Sequence, residues 1–297
     1  MDYIKIRETP TLRDPILITA FTGWNDAGEV GTWCARFLIR QWSAVRFAEI
    51  DPEEFYVFTD IRPWARTGRS GRRRVHWPAN QLYYHKSESG SRDFIILLGI
   101  EPQLKWKSYV NSIMELGRQL NVSLLVSLGG FLAAVPHTSP PRLTGSTTDT
   151  NLLEHLSPPR RPGYQGPTGI VGVMSTTWGD EGMPTASIWG NVPHYLQVSP
   201  NLKVAVGLVE RLNQVLDLNL DMVEAHQMAA QFGQQVEDVV QKNPDLVAYV
   251  RQLEEQEGRS GLEIAGTAEL SEEELPSGEA MVKDLEEFLR RRRQGEQ

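Results

Sequence analysis

The sequence predicts an α/β protein: a three-layer α/β/α body carrying a C-terminal helical appendage. Three observations lead there. Short, continuous apolar runs of the kind buried on both faces of a sheet recur at residues 15–21, 93–100 and 122–131. A segment with helical spacing, residues 104–120, separates the second run from the third. That alternation indicates a parallel sheet, with right-handed crossovers placing helices over its faces. Beyond Leu220 the apolar runs give way to an acidic helical pattern.

The first run, "PILITAF", leads into "FTGWNDAGEVGTW". Gly23 and Gly28 are spaced as in a phosphate-binding loop, but Glu29 and Val30 stand where that motif needs Lys and Ser/Thr. A carboxylate there would repel a phosphate. The residues fit a capping box instead, with Asp26 as N-cap receiving the Glu29 N–H and Glu29 reaching back. The expected helix runs from residue 27 to about 42, burying Val30, Trp33, Cys34, Phe37, Leu38 and Trp42. We read a structural turn first and a ligand contact second, since open α/β sheets place ligands at strand carboxyl ends.

The arginine-rich stretch at 61–80 holds six arginines and two tryptophans. It reads as a solvated hairpin tip or a contact to an acidic neighbouring subunit. Nucleic-acid binding is disfavoured by the net charge of −8. "LLGIEPQLKW" ends the second strand and brings Glu101, Lys105 and Trp106 to the edge that holds Asp26. Glu101 is a candidate general base or sugar-hydroxyl acceptor; alternatively it pairs with Lys105 or caps the next helix. Gly129 and Gly130 end the third strand, where glycine permits close approach of a ligand or a tight turn. His137 and Arg142 follow as a candidate anion-binding pair.

Residues 136–167 hold seven prolines and should be mostly loop, interrupted by a helical turn around 152–156. "GPTGIVGVMSTTW" is expected to resume as a strand. Residues 199–218 then form a helix with Ser199 as N-cap and Pro200 in its first turn. The expected division is a core at 1–220, a helical appendage at 221–257 with a break near "KNPD", an acidic linker at 258–278, and a C-terminal amphipathic helix at 279–297. A helix that short is marginal alone and needs a surface to dock on.

No apolar run approaches a membrane span, and the first residues lack the pattern of a secretory signal, so a cytoplasmic location is expected. The single Cys34 builds neither an intrachain disulfide nor a zinc site alone. His194 and His226 have no companions at metal-ligand spacing. The HExxH, CxxC and GxSxG signatures are missing, so no catalytic residue, metal or cofactor is assigned.

Taken in order, "GWNDAG", "GIEPQLKW", "SLGGFLAAVPHT", "GPTGIVGV", "GNVPHYLQVSPNLKVAVGLVERL" and "NPDLVAYVRQLEEQ" resemble the proteasome assembly chaperone 2 family in its prokaryotic form, over about residues 14–256. The resemblance implies an α/β/α body similar to the nucleoside phosphorylase (phosphorylase/hydrolase-like) fold, followed by helices. Eukaryotic members of that family help assemble the proteasome α-ring, and some archaeal members dock through a C-terminal hydrophobic–Tyr–any-residue tail. The last residues here, "RRRRQGEQ", do not match that tail. The family has no established catalytic residues to carry over. The expected function is a non-enzymatic, self-assembling scaffold or assembly chaperone, a homo-oligomer with a trimer favoured, acting on a protein client. The alternative is a nucleoside-like or phosphorylated small molecule, bound or turned over in the strand-end cleft.

Overall fold

The computed structural model describes residues 3–260 apart from 69, 89, 91, 153–155, 157–165 and 197. In chain order, the elements begin with β1 (Ile4–Ile6), β2 (Ile16–Thr22), α1 (Val30–Gln41), β3 (Val45–Ile50), β4 (Trp64–Thr67), β5 (Arg73–His76), β6 (Asn80–His85) and β7 (Phe94–Ile100). There follow α2 (Trp106–Gln119), β8 (Leu124–Ala133), β9 (Leu143–Thr147), α3 (Ile170–Asp180), β10 (Thr185–Pro193), α4 (Leu202–Leu216), α5 (Val223–Val240) and α6 (Pro244–Ser260).

One sheet has the order β1-β3-β6-β7-β2-β8-β10-β9, and β4 pairs with β5 in a separate ribbon. The sheet is mixed rather than parallel throughout. Its centre, β7-β2-β8-β10, is parallel, while β1, β3 and β6 on one side and β9 on the other pair antiparallel.

Period-two alternation along β2 explains why helices cover both faces. Ile16, Ile18 and Ala20 join the core under α1 and α4, whereas Leu17 and Phe21 join the core under α2 and α3. Midway, the buried Thr19 hydroxyl shares a 3.1 Å hydrogen bond with Ser127 of β8, which satisfies two polar groups inside an apolar layer. In α2 the expected stripe of Tyr109, Ile113, Leu116 and Leu120 is buried. Cys34 is buried in the first core, where desolvation pushes its thiol up. A third cluster joins Leu196 and Val198 to Phe232, Val236 and Val240 of α5 and to Leu246 and Val250 of α6.

Three local expectations are corrected. The run at 166–178 is not a strand: α3 begins at Ile170, because Ile170, Met174 and Trp178 recur every four residues and bury one helical stripe. Its β-branched, apolar composition disguises that spacing. The strand lies further on, as β10. Within the proline-rich stretch, residues 143–147 form β9, whose backbone groups pair with β10; a helical turn occupies Thr150–Leu152 and the Leu156 N–H donates to Leu152 O at 3.1 Å, while residues 153–155 of the turn expected at 152–156 lie outside the described residues. Finally, Asn201 rather than Ser199 caps α4, accepting the Val204 N–H at 3.2 Å while its own N–H donates to Gly28 O at 2.8 Å.

Helix α6 continues to Ser260, past the expected linker start at residue 258. The rest of that linker and the expected last helix lie outside the described residues. Among the described residues no helix is long and apolar enough to cross a membrane.

The helical register of α3 has a direct test. Trp178→Ala should cost about 3–5 kcal/mol of unfolding free energy, while Thr176→Ala, on the exposed side, should stay within about 0.5 kcal/mol. Urea titration of both variants measures the contrast.

Candidate functional site

Strands β2, β7, β8 and β10 all end at one edge of the sheet, and the loop 23–29 lies across it. Gly23, with φ of +140°, starts this loop, and a Cβ there would come within 3.0 Å of the Glu101 Cβ. Glu101 stands at the end of β7, half-buried. Its Oε1 accepts the Asn25 side-chain N–H at 2.7 Å and the Ile170 N–H at 2.8 Å; its Oε2 accepts the Trp24 N–H at 3.3 Å. The carboxylate therefore caps α3, where free backbone N–H groups and the helix dipole favour a negative charge. It neither caps α2 nor pairs with Lys105, whose ammonium instead pairs with Glu54.

Gly129 and Gly130 lie within β8, and the group approaching them is the protein's own loop. Gly130 donates its N–H to Asn25 O at 3.0 Å and bridges Asp26. A Cβ on Gly130 would sit 2.7 Å from Ala27 O, and one on Gly129 2.6 Å from Asn25 O. Gly169 is equally constrained, since its Cβ would fall 2.2 Å from Asn25 Oδ1.

Asp26 is buried and caps α1 one turn later than expected. Its backbone carbonyl takes the Glu29 N–H at 2.9 Å. Its side chain reaches on to the Gly31 N–H at 2.7 Å and the Thr32 hydroxyl at 2.5 Å. Glu29 does not reach back, but faces Arg36 at 3.6 Å. Burial pushes the Asp26 carboxyl up to about 6, against the lowering influence of its bonds to Thr32 and Gly31.

His137 and Arg142 face the C-terminal helices instead. His137 is buried between Tyr195, whose hydroxyl meets its Nδ1 at 2.7 Å, and Glu237 of α5, 3.2 Å from its Nε2. Burial pushes its imidazole below the usual value, opposed by Glu237. Its carbonyl accepts Lys203 Nζ at 2.5 Å. Arg142 pairs with Glu257 of α6 at 2.6 Å. Asp26, Glu101, Gly129 and Gly130 thus form one junction, while His137 and Arg142 belong to a second contact, between the loop after β8 and α5–α6.

Sequence reasoning missed the partners that make this second contact. His194, read as having no companion at metal-ligand spacing, shares a 3.0 Å hydrogen bond with the Tyr249 hydroxyl of α6, and its ring packs edge-on against Tyr195. These partners lie 55 to 115 residues apart in sequence, beyond any local spacing rule. Among the described residues, no three His, Cys, Asp or Glu side chains gather as a metal site.

The model of the PAC2 family matches residues 20–240. The chain belongs to the PAC2 family. A solved structure of a PAC2 family protein from Streptomyces avermitilis is 33% identical, with a TM-score of 0.74 over 80% of this chain and 100% of that one. A Mycobacterium tuberculosis proteasome-assembly chaperone homologue is 29% identical, with a TM-score of 0.72 over 79% of this chain and 99% of that one. The fold is shared with an archaeal proteasome activator from Pyrococcus furiosus, at 22% identity and a TM-score of 0.64 over 80% and 99% of the two chains. No curated protein matches.

The Asp26 environment predicts a pH signature. With the folded value near 6 and the unfolded one near 4, the folded chain holds this proton more tightly, so stability from this group is lost as pH rises through that window. The swing amounts to about 3 kcal/mol. Urea unfolding of Asp26→Asn and the parent should therefore diverge between about pH 4 and 7, the variant gaining by about that amount.

Proposed function

We propose that this PAC2 protein is a non-enzymatic assembly chaperone or scaffold of the cytoplasm. It self-associates into a closed ring, a trimer, and acts on a protein client by surface contact. Its α/β body would share the layering of nucleoside phosphorylases without their chemistry.

The observation that carries this reading is the division of labour at the strand-end edge. The polar candidates there bond inward: Asp26 to α1, and Glu101 to the loop and α3. Large apolar side chains at the same strand ends face outward. Trp24 is 66% exposed, Leu104 43%, Phe131 41% and Leu132 54%. Exposed apolar surface of this kind marks contact with another protein, and closed symmetry is the usual form of self-association. The named relatives point the same way, one being a proteasome-assembly chaperone homologue. A nucleoside-like or phosphorylated ligand would need Asp26, Glu101, His137 and Arg142 to release the partners they now hold.

Static light scattering of the full chain at micromolar concentration tests the proposal. A trimer of the 33.5 kDa chain, about 100 kDa (3 × 33.5), is expected. Trp24→Glu with Phe131→Glu should reduce it to the monomer while leaving the melting temperature within about 3 °C of the parent's monomeric transition. A monomeric parent, or an unchanged mass in the double variant, would contradict it.

A further inference from the structure

The β4–β5 hairpin forms its own ribbon, and every residue of both strands is exposed. A two-stranded ribbon alone in water is marginal, and this one carries an added cost. Arg66 lies directly opposite Arg74, and like charges so placed repel. Among the described residues, Arg62, Arg66, Arg72, Arg73 and Arg74 pair with no carboxylate. Residues 61–80 hold six arginines and no lysine or acid, so the rest of the chain carries −8 − 6 = −14. The hairpin is a basic island on an acidic protein.

It is also aromatic. Cross-strand partners share a face, so Trp64, Arg66, Arg74 and His76 line one side of the ribbon. That side opens onto a groove of about 450 Å³ floored by Ile61, Trp77 and Ile100. Trp64 is 74% exposed. Such a surface fits an acidic segment that also carries aliphatic side chains.

We infer that the occupant is the chain's own segment 269–275, docked on the hairpin of the same molecule. That segment reads "ELSEEEL" and offers four glutamates with two leucines. Its carboxylates match the unpaired guanidinium groups, which bind them in two-pronged fashion, and its leucines match the apolar floor. The chain is long enough. The last turn of α6 is held at the end of β10, because Glu257 pairs with Arg142 and Arg142 O accepts the Asn191 N–H. The hairpin enters the sheet at Asn80, which bonds the Ile100 N–H at the end of β7 on the same edge. From β10 to β6 is four strand spacings, about 19 Å. The nine residues from Ser260 to Glu269 span up to about 30 Å.

Limited trypsin digestion of the full chain tests the docking, because Arg66, Arg72, Arg73 and Arg74 are themselves cleavage sites. Mass spectrometry follows hairpin cleavage in the parent and in the variant Glu269→Gln/Glu272→Gln/Glu273→Gln/Glu274→Gln, which alters no trypsin site. Cleavage in the variant should be at least about tenfold faster, and raising salt from about 50 to 500 mM should accelerate the parent but not the variant. A synthetic peptide of residues 266–278 added to the variant should restore protection. Equal cleavage rates in parent and variant would overturn the proposal. So would protection of the parent that grows with protein concentration, which would place the segment on a second copy. The readout is local to the hairpin, so it stands or falls independently of self-association.

Discussion

One shared carboxylate holds the carboxyl edge of the sheet together. Glu101 leaves β7 and gathers the N–H groups of Trp24, Asn25 and Ile170, from a loop and a helix distant in sequence. The Ile170 N–H belongs to the first turn of α3, which has no intrahelical acceptor for it. Without Glu101 that helix would begin unsatisfied beside the sheet, and Asn25 would lose the bond that fixes its side chain. Asn25 in turn holds Gly130 through its carbonyl. The loop, two strands and one helix are thus locked by one group.

This lock shapes what the edge can do. The polar side chains that a small ligand would recruit are committed to the fold, and the close packing leaves no room to add a Cβ at Gly129, Gly130 or Gly169. Trp24, Leu104, Phe131 and Leu132 stand exposed at the same strand ends. The second contact, where His137 and Arg142 meet α5 and α6, adds the C-terminal helices to the same edge. An edge whose polar junction bonds inward while large apolar side chains face outward is what the proposed contact function requires.

Much of this was legible in the sequence. The continuous runs of β2, β7 and β8 are strands whose cores are buried on both faces, as their pattern predicts, and the α2 stripe follows from its spacing. The antiparallel flanks were not legible. β3, β6 and β9 are half-buried or short, and their pairing depends on partners far along the chain. The sequence also misled at α3, where valine and isoleucine favour a strand locally but a four-residue repeat of large side chains decides the outcome through packing. At the junction, residue types flagged Asp26, Glu101 and the glycines together. Only the tertiary arrangement shows that they bond to one another, because the α3 N–H that completes Glu101 lies 69 residues away.

The most direct measurement is residue-resolved amide hydrogen exchange on the full chain. The Gly31, Gly130 and Ile170 amides, bonded to Asp26, Asn25 and Glu101, sit in or beside loops where exchange is ordinarily fast. If the junction is locked, they exchange only by global unfolding, as slowly as the amides at the centre of β2. Exchange of these three at the rate of the exposed hairpin would contradict the account, returning the edge to an open loop free to close on a ligand.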